Sequence, residues 1–235
     1  RRFAPFFWTQ ALAAFNDNAF RNALLVLVAF QLGLDDHAAA IYTNLAPALF
    51  ILPFFLFSAS AGQLAEKIEK TRIIRWVKLF EIAAMAIAAA GFITHHVSLL
   101  LVVLFMMGLH STVFGPIKYA ILPQALKPAE LVGGNGLVEM GTQLAILLGM
   151  IAGTTAMGVA GIGPWLAAGI TIGVAVVGWF ACRAIPPAPA TAPELKFNPN
   201  TFGETARVIR ITHADRSVWN AVLGISWFWF FGTVL

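Results

Sequence analysis

Charged residues are scarce in this chain of 235 residues. Asp, Glu, Lys and Arg make up 11% of it, whereas 59% of its residues are hydrophobic. A soluble globular domain carries about 25% charged residues. The scarcity therefore excludes an ordinary soluble fold and indicates a membrane protein. The formal net charge of +4 does not indicate a nucleic-acid partner, because the basic residues cluster in short segments between apolar runs, which is a signal of membrane topology.

Motifs of enzymes and metal sites are also missing. The single cysteine, Cys182, allows no disulfide within the chain and fits no metal-site spacing. No Gly-x-x-x-x-Gly-Lys phosphate loop occurs, and none of the five histidines has an aspartate five residues later, as a His-x4-Asp acyltransferase centre would. We therefore predict a chain without catalytic residues, bound metal or cofactor.

Seven apolar segments dominate the sequence. A helix that crosses a bilayer needs about 20 apolar residues, so we predict an all-α, polytopic membrane protein. When the segments alternate in direction, every Lys and Arg in the connections falls on one side. By the positive-inside rule, that side and the N-terminus are cytoplasmic. The segments are 4–34, 40–63, 73–94, 97–122, 134–160, 164–185 and 217–235.

Proline marks a boundary after the sixth segment. The run Pro-Pro-Ala-Pro-Ala-Thr-Ala-Pro over 186–193 is typical of a stiff, extended linker. Thr201 and Glu204 predict a capping box that opens a short basic helix at the membrane surface. Since no Met begins the chain and nothing follows the seventh segment, we expect it to be part of a longer protein. The predicted domains are a six-helix transmembrane domain (1–185), a cytoplasmic linker (186–216) and the first helix of a second half (217–235).

Polar side chains interrupt the middle of the first segment, where hydrocarbon is expected. A charge at the centre of a membrane helix costs at least about 2.5 kcal/mol, so it is normally paired or functional. Asp17 and Arg21 are four residues apart and share a helix face. Two interpretations remain open: an Asp–Arg pair that fixes helix packing, or a polar site at the bilayer midplane, where transporters bind their cargo. The polar residues are Asn16, Asp17, Asn18, Arg21 and Asn22.

Two more polar groups are predicted at membrane depth. In the fourth segment, Ser111 and Lys118 share a face, with His110 beside them. Lys118 and Glu139 are equidistant from the middle of the connection between their helices, so an antiparallel hairpin would bring them together. This is either a structural ion pair or a charged site for which a ligand or a proton competes. The stripe on the fifth segment, at the spacing of one helix face, consists of Asn135, Glu139 and Thr142 or Gln143.

Several local features are predicted to be structural. The pairs Gly149/Gly153 and Gly169/Gly173 have the spacing that lets membrane helices approach closely. Glu81, three residues after Lys78, predicts a local ion pair, and His110 is interpreted as a hydrogen-bonded interior histidine. The run Gly133–Gly136 is interpreted as a turn into the fifth segment, capped by Asn135.

The connection after the second segment resembles the cytoplasmic loop signature of the major facilitator superfamily, Gly-x-x-x-Asp-Arg-x-Gly-Arg-Arg. It departs by Glu66 for Asp, Glu69 for Gly and Thr71 for a basic residue. The resemblance implies the major facilitator fold, with this chain as an N-terminal six-helix bundle plus the start of the second half. In that superfamily the loop helps to latch the two halves. The resemblance thus implies a gating role for Gly62, Glu66, Lys70 and Arg72.

Three stretches are similar to the bacterial lysophospholipid transporter branch of that superfamily. They are Phe15–Asn22, Phe114–Pro123 with its Pro-x-Lys-Tyr element, and Leu131–Glu139 with its Asn-Gly-Leu-x-Glu element. The similarity implies a monomer that flips lysophospholipids, typically lysophosphatidylethanolamine, from the outer to the inner leaflet of the bacterial inner membrane. It also implies an acyltransferase/acyl-carrier-protein synthetase that re-esterifies them, as a separate partner or as a fused domain.

The polar residues suit such a cargo. Arg21 or Lys118 would hold the phosphate by charge-assisted hydrogen bonds, Asp17 or Glu139 would hold the ammonium, and the asparagines would bond the glycerol hydroxyl. The aromatic residues Phe50, Phe54, Phe55 and Phe57 either line a path for the acyl tail or face lipid. The predicted substrate-binding set is Asn16, Asp17, Asn18, Arg21, Asn22, Ser111, Lys118, Asn135, Glu139 and Gln143.

Two other functions remain open. The same fold would suit a proton-coupled carrier of a small polar solute, with Asp17 and Glu139 as the proton sites. The third hypothesis is a membrane anchor for a fused lipid enzyme without transport of its own.

Overall fold

The computed structural model describes residues 2–234 and is built from helices over that range. This confirms the predicted all-α fold, and each predicted apolar segment falls on a helix. Residues 1 and 235, the outer ends of the predicted domains, lie outside the described range. The helices are α1 (Ala4–Val26, continued by a π-helical turn over Leu27–Gln31), α2 (Asp36–Lys67), α3 (Lys70–Ile93), α4 (Val97–Ala120), α5 (Leu122–Ala125), α6 (Leu131–Met157), α7 (Gly163–Arg183), α8 (Thr201–Ala214) and α9 (Arg216–Val234).

Five helical stretches within the described range are long and apolar enough to cross a membrane. They are α2, α3, α4, α7 and the stretch Pro128–Met157 that contains α6. Helix α1 does not belong to this set, since its middle carries amides and two charges, yet it lies at the centre of the bundle and packs against α4, α6 and α7. The chain is therefore a multi-pass membrane protein whose most polar long helix is enclosed by the others.

Glycines on α6 bring this helix close to α1. A Cβ atom at Gly149 would lie 2.3 Å from the carbonyl oxygen of Phe15, and one at Gly153 would lie 2.1 Å from that of Ala19. Real Cβ atoms do not approach a backbone so closely, so only glycine allows this contact. The predicted packing role of this pair is confirmed.

The second predicted glycine pair behaves differently. A Cβ atom at Gly169 or Gly173 would meet nothing within 4 Å, so the prediction that this pair brings helices together is wrong. The physical reason is the orientation of the helix face. The spacing places both residues on one face of α7, and that face points into open space rather than toward a neighbouring helix.

The connection between α2 and α3 is shorter than predicted. The basic residues of this connection predict a loop over Ala65–Arg75. In the structure, α2 runs to Lys67 and α3 begins at Lys70, which leaves two residues between the helices. Apolar residues interleaved with the basic ones explain the difference, because Ile73 and Ile74 are buried in the bundle core. Their burial favours a helix in a segment whose charged residues suggest a loop.

Asn135 does not cap a helix as predicted. It lies inside α6, where its Nδ2 donates to the carbonyl of Leu131 at 2.8 Å. The entry to α6 is instead fixed upstream by a 3₁₀ turn over Pro128–Glu130, in which the Glu130 carboxylate accepts from the backbone N–H of Lys127 at 2.9 Å. The glycine-rich run is thus helical rather than a turn.

The predicted basic helix is present as α8, but its cap is not the predicted one. Asn200 caps the helix, with its Oδ1 accepting from the backbone N–H of Gly203 at 2.9 Å. Glu204 is buried and accepts from Asn198 and Arg207 instead. The ion pair with Arg207 lowers the pKa of the Glu204 carboxyl, so this end of α8 stays charged at neutral pH.

Two apolar cores stabilise the bundle, one toward each end. The first contains Phe20 and Leu24 of α1 together with Leu104 of α4. The second contains Phe6 of α1 and Ile117 of α4. Between them, at the level of residues 10–18 of α1, buried polar side chains replace apolar ones. Because buried polar groups in a membrane protein are normally functional or paired, this middle layer is the candidate location of the functional site.

We expect Gly153→Ala to lower the thermal stability of the protein, because the added methyl group would overlap the Ala19 carbonyl and push α1 away from α6. Gly169→Ala is the matched control, since its methyl group would meet open space and alanine favours a helix over glycine by about 1 kcal/mol. Thermal unfolding of the two variants in detergent checks this. Equal melting temperatures would contradict the close α1–α6 contact.

Candidate functional site

A cavity of about 640 Å³ opens in the middle layer between four helices. It is lined by polar residues of α1, aromatic and aliphatic residues of α2, a mixed face of α4 and two residues of α6. Five of the predicted substrate-binding residues line it together: Asp17, Asn18, Arg21, Ser111 and Lys118. The structure thus brings together, around one cavity, side chains as far apart in the sequence as Asp17 and Lys118.

Asp17 and Arg21 both face this cavity, but they do not pair. Asp17 accepts from the hydroxyl of Ser111 at 2.5 Å, and its other oxygen, Oδ1, is buried without a hydrogen-bond partner among the described residues. Arg21 donates to Oδ1 of Asn18 at 2.7 Å and lies 6.0 Å from the ring centre of Phe50. Within residues 2–234, neither charge takes part in an ion pair, so the interpretation of a self-neutralising pair is wrong.

Lys118 forms the predicted ion pair with Glu139. Its Nζ lies 3.2 Å from Glu139 Oε1 and donates to the hydroxyl of Thr142 at 2.8 Å. The hydroxyl of Tyr119 donates to the same carboxylate oxygen at 2.5 Å. The side chain of Lys118 is 12% exposed and that of Glu139 is 39% exposed, so the pair lies at the rim of the cavity and water or a ligand can reach it.

The wall opposite the polar residues is apolar. Phe50, Ile51 and Phe54 of α2 line it. The other two predicted aromatic residues, Phe55 and Phe57, are 81% and 38% exposed and do not line the cavity. The cavity therefore has a charged side on α1 and α4 and an apolar side on α2. An amphiphilic molecule has the same two parts.

Five predicted site residues do not line the cavity. Glu139 lies at its rim through its ion pair with Lys118, and the other four lie away from it. Asn16 is buried on a different face of α1, where it bonds to Glu81 of α3 instead. Asn22 donates to the backbone carbonyl of Asn18 at 2.9 Å. Asn135 and Gln143 are exposed on the outer face of α6. Of the alternatives left open on α6, the structure selects Thr142 for the cavity.

Sequence reasoning missed one polar cavity residue, Gln10. Its Oε1 lies 2.9 Å from the Thr142 hydroxyl, which ties α1 to α6 beside Lys118. A signal existed: Gln10 precedes Asp17 by seven residues, which is two helical turns and the same face. This spacing alone does not mark Gln10 as a site residue, because an uncharged amide in an apolar run is less costly to bury than an aspartate.

Behind the cavity lies a second, buried polar group centred on Glu81. The predicted pair of Lys78 and Glu81 is confirmed, and both side chains are fully buried. Asn16 Nδ2 donates to Glu81 Oε1 at 2.8 Å, and His110 Nε2 lies 3.1 Å from Glu81 Oε2. His110 thus has interior polar partners as predicted, and it also lines the cavity.

The predicted gating residues meet the proline-rich linker. Lys70 is buried; its Nζ donates to the hydroxyl of Thr191 at 2.7 Å and to the carbonyl of Pro189 at 3.2 Å. The backbone carbonyl of Glu66 accepts from two linker N–H groups. Gly62 faces the groove between α2 and α8, and Arg72 is exposed on α3. The linker is therefore docked on this end of the bundle, which its composition did not reveal.

Comparison with known families agrees with this architecture. The family model described as the Major Facilitator Superfamily matches residues 6–235, which is nearly the whole chain. The chain belongs to the major facilitator superfamily, a family of membrane transporters.

Within that class, the chain is similar to curated proteins named lysophospholipid transporter LplT. It is 28% identical to the protein from Enterobacter sp. over 231 residues, covering 96% of this chain and 54% of the relative. It is 29% identical to that of Klebsiella pneumoniae over 239 residues, with the same coverage, and 32% identical to that of Salmonella arizonae over 144 residues, covering 61% and 33%. The chain spans about half the length of the relatives that it matches most fully.

We expect Lys78→Met to destabilise the protein strongly, because it leaves the Glu81 carboxylate buried without its cation. Breaking a buried ion pair in this way costs about 3–5 kcal/mol, whereas removing both charges is often neutral. The double variant Lys78→Met/Glu81→Gln should therefore regain most of the lost stability. Melting temperatures of both variants in detergent test this; a double variant no more stable than the single one would contradict the pairing.

Proposed function

We propose that the full-length protein is a lysophospholipid transporter of the bacterial inner membrane, which flips lysophosphatidylethanolamine-type lipids from the outer to the inner leaflet. One observation carries the proposal: a single cavity holds an unpaired carboxylate, an unpaired guanidinium and an apolar wall. A lipid with a zwitterionic head group and one acyl chain complements these three features: its ammonium suits the carboxylate, its phosphate the guanidinium and its chain the apolar wall. The names of the similar proteins agree with this cargo.

The head group is proposed to bind across α1 and α4. Arg21 and Lys118 would hold the phosphate by charge-assisted hydrogen bonds. Asp17, which lines the cavity, would accept from the ammonium, and Asn18 would bond the glycerol hydroxyl. A volume of about 640 Å³ lies within the range of small-molecule pockets, about 300–1,000 Å³.

The acyl tail is proposed to lie along α2. Phe50 and Phe54 line the cavity, while the neighbouring Phe55 is exposed on the outside of the same helix. A tail that leaves the cavity beside α2 would pass from Phe50 and Phe54 to this exposed aromatic residue on the outside of the helix. This lateral route lets the charged head move through the protein while the tail stays in an apolar phase.

Transport is proposed to proceed by alternating access between two halves, with 1–185 as the first half, 186–216 as the linker and 217 onward as the second half. The N-terminus is placed in the cytoplasm on the positive-inside rule. Gly62, Glu66, Lys70 and Arg72 are proposed to act at the cytoplasmic gate. A separate or fused acyltransferase/acyl-carrier-protein synthetase would consume the product, and the transporter would work as a monomer.

A second candidate is a proton-coupled carrier of a small polar solute on the same fold. It is supported by the hydrogen bond that links Asp17 through Ser111 toward His110, because such a chain can hold a proton. Glu139, the other proton site considered, is paired with Lys118 and bonded to Tyr119.

Reconstituted vesicles distinguish the two candidates. The full-length protein would be given labelled lysophosphatidylethanolamine on one leaflet, with and without a proton gradient, and the lipid reaching the other leaflet would be counted by extraction with albumin. Lysolipid movement above that of empty vesicles supports the transporter proposal. Absence of movement under either condition would overturn it and favour the solute carrier.

We expect Asp17→Asn to reduce lysophosphatidylethanolamine flipping at least about tenfold, because an amide cannot neutralise the ammonium, and a lost charge-assisted bond is worth about 1.5–3 kcal/mol. The fold should survive, since Asn keeps the size of the side chain and can still accept from Ser111. Asn135→Ala, exposed outside the cavity, is the matched control and should flip normally. Unchanged flipping by Asp17→Asn would show that the head group binds elsewhere.

A further inference from the structure

A groove on the outer surface of the bundle brings three arginines together between α3 and α7. Arg72 and Arg75 come from the first turns of α3, and Arg183 ends α7. The two helices pack together. Their ends meet at this level, because the Thr71 hydroxyl donates at 2.8 Å to the carbonyl of Pro186, just beyond α7. The groove has a volume of about 520 Å³, and its lining residues differ from those of the cavity described above.

Aromatic and aliphatic side chains complete the groove beside the arginines. Trp76 and Leu79 continue the same face of α3 and are 64% and 42% exposed. Trp179 lines the groove from α7, and its ring centre lies 5.0 Å from Cζ of Arg183, within the range of a cation–π interaction. Since a helix rises about 1.5 Å per residue, Leu79 lies about 10 Å along α3 from Arg72. Along the helix axis, the groove therefore changes from cationic through aromatic to aliphatic.

The lining of the groove is positively charged without an acidic counterpart. No Asp or Glu of the described residues lines it, and no ion pair within residues 2–234 includes any of the three arginines. Glu69 precedes Arg72 by three residues but lies outside the groove. Glu81 lies on the buried face of α3, where its ion pair is with Lys78. The residues that line the groove thus carry three formal positive charges.

Membrane topology alone does not account for this arrangement. The positive-inside rule requires Lys or Arg in the cytoplasmic connections but does not specify their positions, and exposed residues such as Lys127 and Arg210 satisfy it. In the groove, the three cations come from two helices, all are arginines, and two tryptophans lie beside them. The arginine fork can bond two phosphate oxygens at once, whereas lysine acts as a point charge. The set therefore suits a phosphate group.

A phospholipid has its parts in the same order as the groove. The arginines lie at the ends of their helices, where a membrane helix meets the lipid head groups. Tryptophan is enriched at that interface, and Leu79 lies deeper, toward the acyl chains. Basic pockets between membrane helices on the cytoplasmic side bind anionic lipid head groups in other proteins. A soluble phosphate ion would engage the arginines only, so the exposed Trp76 and Leu79 favour a lipid.

We propose that this groove binds an anionic phospholipid, with the phosphate on Arg72, Arg75 and Arg183 and the start of an acyl chain on Trp76 and Leu79. Because the groove carries three positive charges, a lipid with two phosphates, such as cardiolipin, binds more tightly than one with a single phosphate, such as phosphatidylglycerol. The bound lipid connects the ends of α3 and α7 and so stabilises the bundle. The site does not depend on the cargo of the cavity; only its assignment to the cytoplasmic leaflet rests on the proposed orientation.

Native mass spectrometry of the full-length protein in detergent tests the site directly. The protein is titrated with cardiolipin, phosphatidylglycerol or phosphatidylethanolamine of the same acyl chain type, and the lipid-bound fraction is measured. We expect cardiolipin to bind at least about tenfold more tightly than phosphatidylethanolamine, which has no net charge, because each basic residue near the surface attracts anionic lipid. Phosphatidylglycerol should lie between them. Equal binding of the three lipids would overturn the proposal.

Variants locate the bound lipid. Arg75→Gln/Arg183→Gln should lower the affinity for cardiolipin at least about tenfold, because charge-assisted hydrogen bonds are lost from both helices. Both side chains are exposed, so the fold should survive; Arg72 is left unchanged because of its proposed role at the gate. Lys127→Gln/Arg210→Gln, which removes two charges at exposed positions outside the groove, is the matched control and should bind normally. Undiminished binding in the first variant, or an equal loss in the control, would overturn the proposal.

Thermal unfolding in the same detergent distinguishes a lipid from a soluble anion. Cardiolipin should raise the melting temperature of the unchanged protein, since a ligand that binds only the folded state stabilises it, and inorganic phosphate should not. Trp76→Ala, which keeps all three arginines, should reduce the stabilisation by cardiolipin. Equal stabilisation by inorganic phosphate would assign the groove to a soluble anion and overturn the lipid site. Neither test involves lysolipid, so each decides this proposal independently of the flipping assay.

Discussion

The carboxylate of Glu81 is the constraint around which the bundle is arranged. It is fully buried and is approached by Lys78 from its own helix, by Asn16 from α1 and by His110 from α4. In a medium of low dielectric constant, a carboxylate without partners would strongly destabilise the fold. These contacts to one carboxylate fix the relative positions of α1, α3 and α4. The two apolar cores, one toward each end of the bundle, pack between helices that are aligned in this way.

This arrangement gives α1 two distinct sides. Asn16 faces the buried charge, while Asp17 and Arg21 face the cavity. The residue that stabilises the fold and the residue that lines the cavity are thus consecutive in the sequence. Glycines of α6 press against the backbone of the same helix at Phe15 and Ala19. The polar stretch of α1 is therefore fixed from behind, which keeps its cavity side chains in position without their having to pair with one another.

Sequence reasoning succeeded where the deciding contacts are local or follow from helix geometry. The pair of Lys118 and Glu139 was predictable because the two helices are consecutive, and Lys78 and Glu81 are one turn apart. It failed where the partner comes from afar: Asn16 meets Glu81 across 65 positions, and nothing in either segment indicates the other. Helical spacing placed Asp17 beside Arg21 on one face, but it could not show that Ser111 and Asn18 would take the bonds that a pair would have used. The same limit applies to Gly169, because its spacing from Gly173 does not indicate whether another helix packs against that face.

The docked linker bears on how a second half would be connected. Its composition predicts a stiff, extended segment but no attachment, whereas Lys70 and Gln63 bind it to the six-helix bundle and α8 packs against α2. Beyond α8 only Asp215 separates it from α9, and its carboxylate accepts from the backbone N–H groups of Ser217 and Val218. In the proposed two-half arrangement, the hinge would then be this single capped residue rather than a long flexible linker.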